Sequence, residues 1–163
     1  AEVDTCKEGH RQGDADALGK IREGERIVHR MGDLGYFDDA GRLWMCGRRS
    51  QRVESAQGTL CTEQVEPIFN THPQVFRTAL VGVGPQGQEE PVLIVELEPD
   101  VGRDQQARIR EELLVMAKRH EHTRALRHVL YYPRFPVDIR HNAKIGREYL
   151  KQWASTRVPG AVH

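Results

Sequence analysis

The sequence predicts an α+β fold, a small sandwich of a short sheet with flanking helices, preceded by a β-hairpin. From residue 62 onward, the apolar residues follow helical and strand periods in the order helix, two strands, helix, strand, helix. With 38% hydrophobic and 29% charged residues, the composition is typical of a globular chain. The length of 163 residues allows one or at most two compact units.

The first part of the chain predicts strands and one tight turn. Residues 1–25 are mostly polar with scattered glycines, so we expect a tail or a severed connection there. The strand-like run RIVHRM follows at residues 26–31 and is broken by Gly32 and Gly35. Two short apolar segments flank residues 38–41, whose sequence DDAG suits a tight turn, and together they predict a hairpin.

A basic segment, GRRSQR at residues 47–52, joins the hairpin to the next block and is the candidate hinge. Beyond it, Thr62 is expected to cap a helix through its hydroxyl oxygen, and this helix should stop before His72 and Pro73. The remaining predicted elements are strands over residues 78–83, 91–98 and 128–132 and helices over residues 104–120 and 146–153. The second of these strands alternates in polarity, which predicts that it is half buried.

The composition disfavours several classes of protein. The 24 basic and 24 acidic side chains give a formal charge of zero, which argues against binding to nucleic acid. The longest apolar runs are far shorter than the roughly 18 residues of a membrane-spanning helix, and residues 1–20 lack an apolar signal core. Cys6, Cys46 and Cys61 form no CxxC pair, which argues against disulfides and a zinc site. We therefore expect a cytoplasmic protein without a metal site of its own.

Two short motifs resemble binding sites but have simpler interpretations. Residues 82–87 spell GVGPQG, which fits the GxGxxG pattern, but Pro91 and a second strand follow where a dinucleotide site requires a helix. We expect a hairpin loop there. His120 and His122 form an HxH pair without a third ligand nearby, so they are expected to be solvated.

Two longer segments resemble the adenylate-forming enzymes, a family that includes acyl-CoA ligases, luciferases and peptide-synthetase adenylation domains. HRMGDLGYFDDAGRLWMCGRRSQRV, at residues 29–53, is similar to their YRTGD segment followed by a hairpin and a hinge. RHNAKIGREYLKQW, at residues 140–153, is similar to the segment that carries their catalytic lysine. Family members activate a carboxylic acid with ATP to give acyl-AMP and pyrophosphate.

The resemblance implies roles for four residues. Asp33 matches the aspartate that holds the ribose hydroxyls of ATP, although the residues alone leave open that it only stabilises a turn. Arg48 matches an arginine that approaches the nucleotide, and Ser50 stands where the family hinge residue is usually Asp or Lys. Lys144 matches the lysine that reaches the α-phosphate and the carboxylate during adenylation. A positioned ammonium there would lower the barrier by about 3 kcal/mol.

The resemblance also implies a domain organisation. Residues 26–49 correspond to the terminal β-hairpin region of the large adenylation domain, and residues 50–163 to the mobile C-terminal domain that pivots near Ser50. The N-terminal adenylation domain of the same enzyme is then the main partner, and it would bind most of the ATP and Mg²⁺. We expect the chain to be inactive without that domain.

Three segments, VHRMGDLG, WMCGRRSQRVE and RHNAKI, are most similar to one branch of this family, the olefin β-lactone synthetases. This resemblance implies a long-chain β-hydroxy fatty acid as substrate, ring closure of its acyl-AMP to a β-lactone, and possible assembly with other enzymes of hydrocarbon biosynthesis. In CoA ligases, a loop after the hinge lines the path of the CoA thiol. Glu54 stands where that loop has a lysine, and Gly58 lies one residue later than the glycine of that loop.

Two alternatives remain open from the sequence. One is a fatty acyl-CoA ligase that uses CoA. The other is a non-catalytic protein-docking module, in which Arg48, Arg49 and Arg52 would meet an acidic partner.

Overall fold

The computed structural model describes residues 32–138 and 144–158 in full and the backbone of residues 20–23 and 26–29. The chain divides into two compact units, Ala1–Ser50 and Gln51–His163. A single 3-10 turn, Arg49–Gln51, spans the division. This is the basic segment from which the sequence predicts a hinge.

The first unit contains two antiparallel strand pairs. Strands β1 (Lys20–Glu23) and β2 (Arg26–His29) form one pair, and β3 (Asp33–Phe37) and β4 (Leu43–Arg48) form the other. The hairpin predicted around residues 38–41 and the strand predicted from residue 26 are thus confirmed. Within the segment expected to be a tail or a severed connection, residues 20–23 form β1, which the sequence did not predict. A four-residue strand gives too short a pattern to be distinguished from a polar tail. Residues 1–19 lie outside the described part of the chain.

The second unit is an α+β sandwich, which confirms the predicted fold class. Its elements in chain order are β5 (Val53–Ser55), β6 (Gly58–Leu60), α1 (Thr62–Phe69), β7 (Val75–Val83), β8 (Glu90–Leu97), a 3-10 turn (Arg103–Gln105), α2 (Gln106–Lys118), β9 (His128–Tyr131), β10 (Val137–Asp138), β11 (Lys144–Ile145) and α3 (Arg147–Ser155).

The main sheet has the strand order β7, β8, β9. Strands β7 and β8 are antiparallel, while β9 runs parallel to β8 because the long connection between them contains α2. Two small antiparallel pairs, β5 with β6 and β10 with β11, complete the unit.

The core lies on both sides of the main sheet. On one side, Leu93 and Val95 of β8 pack in a cluster with Phe69 of α1 and Leu113 of α2. On the other side, the alternate residues of β8 pack with Phe135 and with two residues of α3 in a second cluster, whose members are Val92, Ile94, Phe135, Leu150 and Ala154. The sequence prediction that this strand is half buried is therefore wrong, because helices cover both faces of the sheet.

The GxGxxG segment is a hairpin loop, as its sequence context predicts. Val83 and Glu90 are opposite each other in the antiparallel pair of β7 and β8, so the chain reverses within residues 84–89. Gly84 and Gly87 have φ of 108° and 84°, a backbone region that glycine adopts without steric cost. A strand follows the loop, so the helix N-terminus that would bind a pyrophosphate is not formed there.

The prediction that Thr62 caps α1 is wrong. Cys61 is the N-cap residue, and Thr62 is the first residue of the helix. The Thr62 side chain is buried, and its hydroxyl oxygen has no hydrogen-bond partner among the described residues. The helix starts one residue earlier than the sequence suggests, because the extended backbone that follows β6 ends at Cys61. Similarly, Asp104 lies within the 3-10 turn before α2 and does not open the α-helix itself.

None of the helices within residues 32–138 and 144–158 has both the length and the apolar composition needed to cross a bilayer.

The variant Thr62→Val tests whether the Thr62 hydroxyl caps α1 or is buried without a partner. The change removes a buried hydroxyl that has no hydrogen-bond partner within residues 32–138 and 144–158, so we expect the free energy of unfolding to rise by about 1 kcal/mol. Loss of a cap would lower it by a similar amount. Urea denaturation at neutral pH measures the difference.

The matched control for this test is Thr123→Val. The Thr123 hydroxyl is also buried, but it donates to the Ala117 carbonyl oxygen at 2.7 Å. This variant should lose about 1 kcal/mol, because it removes a buried hydrogen bond. A Thr62 variant that loses as much stability as the control would contradict the assignment of an unpaired hydroxyl.

Candidate functional site

Asp33 and Arg48 form an ion pair across the β3–β4 hairpin. They are register partners at the open end of the hairpin, and the Nε of Arg48 lies 3.0 Å from Oδ1 of Asp33. The Arg48 side chain is 53% exposed and the Asp33 side chain 27% exposed. A carboxylate offers about four lone-pair positions, so this ion pair leaves it able to accept hydrogen bonds from vicinal hydroxyls.

The backbone at this end of the hairpin is fixed by glycine and by burial. Gly32 has φ of 70°, and its carbonyl oxygen accepts a hydrogen bond from the Arg49 amide at 2.8 Å. Leu34 and Cys46 are buried beside this end of the hairpin. Asp33 and Arg48 therefore project from a backbone with little freedom to change its register.

The other end of the hairpin is closed by Asp38. Its Oδ1 accepts hydrogen bonds from the Ala40 and Arg42 amides, and its Oδ2 accepts one from Nε of Arg42 and one from Nε1 of Trp44. These donors, the Trp44 indole first, lower the pKa of Asp38 from its ordinary value of 3.8. A single carboxylate thus determines the geometry of the predicted turn.

Ser50 is exposed and lies in the 3-10 turn at the end of the first unit. The Ser50 side chain is small, and none of the three residues in the turn is buried. This environment suits a pivot, although pivoting itself stays a prediction.

Lys144 lies in the second unit, and its side chain is exposed. It belongs to the two-residue strand β11, opposite Asp138 of β10. The next residue, Ile145, packs against the core cluster of α3. Since successive residues of a strand point to opposite faces, Lys144 is directed away from that cluster. The preceding motif residues, including Ala143 where the family has glycine, lie in 139–143, outside the described residues.

Two charged pairs that sequence reasoning missed hold the helix that follows Lys144. Arg147, the first residue of α3, binds Glu66 of α1 through both of its terminal nitrogens, at 2.5 and 2.9 Å. One turn later, Nζ of Lys151 lies 2.6 Å from Oε1 of Glu89. A signal was present for the first pair: Glu66 is spaced one turn from Phe69 on the apolar side of α1, and a charge on such a face requires a partner.

Glu54 of β5 forms an ion pair with Arg52. Oε1 of Glu54 accepts from Nε and from a terminal nitrogen of Arg52, at 2.8 and 2.5 Å. The Glu54 amide donates to the Glu89 carboxylate at 3.0 Å. The start of the second unit is therefore lined by two carboxylates where the CoA-ligase pattern has a lysine.

No group of three or more His, Cys, Asp or Glu side chains within 32–138 and 144–158 is arranged to hold a metal ion. His120 and His122 are both exposed at the end of α2, with their rings 5.9 Å apart.

Comparison with known proteins identifies close relatives. The sequence matches no protein-family model. It is 59% identical over 141 residues to an olefin β-lactone synthetase of Xanthomonas campestris pv. campestris, a match that covers 83% of this chain and 25% of the relative. It is 55% identical over 149 residues to an olefin β-lactone synthetase of Stenotrophomonas maltophilia, with 88% of this chain and 27% of the relative covered. The chain thus spans about a quarter of the length of these relatives.

The fold is also similar to solved structures. The o-succinylbenzoate CoA synthetase of Bacillus subtilis, solved with its acyl-adenylate intermediate, matches with a TM-score of 0.64 and 23% identity. The match covers 86% of this chain and 27% of that protein. At this identity the likeness shows the fold, which is that of the C-terminal domain of adenylate-forming ligases.

The low pKa of Asp38 predicts how the hairpin responds to acid. A carboxyl group whose pKa is lower in the folded state stabilises the fold above the unfolded-state value of 3.8. This contribution is lost as the pH falls through the folded-state pKa. A ¹³C NMR titration should therefore place the midpoint of the Asp38 carboxyl below 3.8, with the Trp44 indole proton shifting in parallel.

Trp44→Phe is the matched variant for this titration, because it keeps the aromatic ring and removes the indole donor. The Asp38 midpoint should rise in this variant. An unchanged midpoint would show that the indole is not the main cause of the lowered pKa.

Proposed function

Because this chain corresponds to the C-terminal part of the adenylate-forming ligases, we propose that it completes an enzyme that activates a carboxylic acid with ATP and closes the product to a β-lactone. The observation that carries this proposal is the identity of 59% and 55% to two olefin β-lactone synthetases over more than four fifths of the chain. The proposed substrate is a long-chain β-hydroxy fatty acid.

In the first step of the proposed reaction, a carboxylate oxygen of the acid attacks the α-phosphorus of ATP. The bond from this phosphorus to the bridging oxygen of pyrophosphate breaks, and acyl-AMP forms. Two anions must approach each other, so a cation close to the reacting oxygens stabilises the transition state. Lys144 is the proposed cation, and its exposed side chain on β11 is available for this role.

Asp33 and Arg48 are the proposed nucleotide contacts. The Asp33 carboxylate would accept hydrogen bonds from the two ribose hydroxyls, while Arg48 holds the carboxylate in place from the neighbouring strand.

In the second step, the β-hydroxyl oxygen of the substrate would attack the acyl carbon. The bond from that carbon to the AMP oxygen breaks, the hydroxyl proton is released, and a four-membered lactone ring closes. An intramolecular nucleophile needs no channel for a thiol. The carboxylates of Glu54 and Glu89 support this step over thioester formation, because they provide no attraction for the phosphates of CoA.

Both steps require a large N-terminal adenylation domain as partner. The β3–β4 hairpin supports this proposal, because five large apolar side chains on it are exposed. They are Tyr36, Phe37, Leu43, Trp44 and Met45. Exposed apolar side chains grouped in this way indicate a surface that another polypeptide covers. The proposal assigns the Mg²⁺ that accompanies ATP to that domain as well.

The proposed motion between the two steps pivots at Ser50. Its place at the end of the first unit, in an exposed 3-10 turn, supports this assignment. The docking module is less well supported than catalysis, because Arg48 and Arg52 are both paired with carboxylates of this chain.

Lys144→Ala tests the first step in the full-length enzyme. We expect the rate of acyl-AMP formation, measured by pyrophosphate release, to fall about 100- to 1000-fold because the transition-state charge loses its cation. Conversion of supplied acyl-adenylate should continue at the unaltered rate. Lys118→Ala, at an exposed lysine of α2, is the control and should leave both rates unchanged. Equal loss of both steps in the Lys144 variant would refute its assigned role.

The product of the full-length enzyme tests the second step. Incubated with ATP and a long-chain β-hydroxy acid, the enzyme should give a product of the mass of the acid minus one water, in equal amount with and without CoA. Mass spectrometry identifies this product. A thioester that forms only when CoA is present would establish the acyl-CoA ligase instead.

A further inference from the structure

We propose that Arg147 is a positioning residue for Lys144, a proposal that rests on the adenylation role of that lysine. Arg147 lies three residues after Lys144 and begins α3. Its guanidinium group, bound to Glu66, fixes the start of the helix and with it the short strand that presents the lysine.

The contact between Arg147 and Glu66 has the geometry of a rigid joint. Two terminal nitrogens of Arg147 bind the two carboxylate oxygens of Glu66, at 2.5 and 2.9 Å. The side chains are only 15% and 12% exposed. Two parallel hydrogen bonds between planar groups determine orientation as well as distance, which a single point charge does not.

Glu66 is itself held by the main sheet. Its Oε1 accepts a hydrogen bond from the amide of Leu80, at 2.8 Å. Leu80 lies in β7 and is 1% exposed, so this amide belongs to the most buried part of the unit. The carboxylate therefore connects the start of α3 to the backbone of the central hairpin.

The two residues between Lys144 and Arg147 have little freedom. Ile145 is opposite Val137 in the pair of β10 and β11 and packs against the core. The amide of Gly146 donates to the carbonyl oxygen of Pro136 at 2.7 Å. A Cβ atom at Gly146 would lie 3.2 Å from the same oxygen, so the two segments are in close contact. A shift of Arg147 would therefore move the strand that carries Lys144.

Stability alone does not account for this pair. A buried ion pair gains little over apolar side chains of the same size, because both charges must leave water. The pair of Lys151 and Glu89 on the same helix provides a comparison. It also links α3 to a buried carboxylate, but it makes a single contact, and Lys151 is 43% exposed. Only the contact nearer to Lys144 has the bidentate geometry that fixes orientation.

The test uses Arg147→Lys in the full-length enzyme, with Lys151→Met as the matched control. Arg147→Lys keeps the charge and loses the two parallel bonds. We expect kcat for acyl-AMP formation to fall about 100-fold, since a displacement of about 1 Å has this effect on a positioned group. The KM values for ATP and for the acid, and the conversion of supplied acyl-adenylate, should stay within about 3-fold of their original values. Lys151→Met should change none of these rates.

A double-variant cycle distinguishes positioning from general loss of structure. If Arg147 acts through Lys144, then Arg147→Lys should lower the adenylation rate no further in a Lys144→Ala background. An undiminished effect in that background, or an equal loss in both half-reactions, would overturn the proposal. Full adenylation by Arg147→Lys, with Lys144→Ala inactive, would overturn this proposal and leave the proposed function standing. Full adenylation by Lys144→Ala would overturn both.

Hydrogen exchange gives a second readout on the 163-residue chain itself. The Gly146 amide should exchange at least 10-fold faster in Arg147→Lys than in the original chain or in Lys151→Met, while the Leu93 amide of β8 keeps its protection. Unchanged exchange at Gly146 would contradict the proposal. If Arg147→Lys fails to fold, Glu66→Gln replaces it, because an amide oxygen can still accept from Leu80 while the charge is lost.

Discussion

The central strand β8 is buried on both faces, and the arrangement of the second unit depends on this constraint. A strand without a solvent-exposed face needs cover from two sides, which α1 and α2 provide on one side and α3 on the other. Any charge inside this stack must be paired and hydrogen-bonded. Glu66 and Glu89 meet that requirement by accepting backbone amides and by binding Arg147 and Lys151. The layers are thus connected by two carboxylates as well as by apolar contact.

The same constraint places the candidate catalytic lysine. Helix α3 must lie against the sheet, since Leu150 and Ala154 are buried in its core cluster. The chain that enters this helix therefore passes along the margin of the core, where one residue can face inward and the next outward. Ile145 packs inward and Lys144 is exposed. A strand of two residues is sufficient for this purpose because the helix behind it is fixed.

Local patterns predicted most of the fold, whereas contacts between distant residues were not accessible to them. The turn at Asp38 and the strands β7 and β8 have strong local signals of sequence type and period. Both faces of β8 are buried because helices from elsewhere in the chain pack on them. The alternating pattern of the strand alone predicted that one face is exposed to solvent. The spacing of Glu66 indicates that its charge needs a partner, but the partner, Arg147, is 81 residues away, and no local spacing identifies it. The Thr62 cap failed by one residue, which is within the usual uncertainty of helix ends.

Two guanidinium–carboxylate pairs, one in each unit, differ in burial, and burial determines what each can do. The pair of Asp33 and Arg48 is exposed, so water screens it and it contributes little to stability. Such a pair can rearrange at small cost when another hydrogen-bond donor arrives, as the proposed ribose contact requires. The pair of Arg147 and Glu66 is largely excluded from water, so breaking it would leave buried charges without partners. The exposed pair is therefore suited to binding a substrate, and the buried pair to keeping a neighbouring cation in one position.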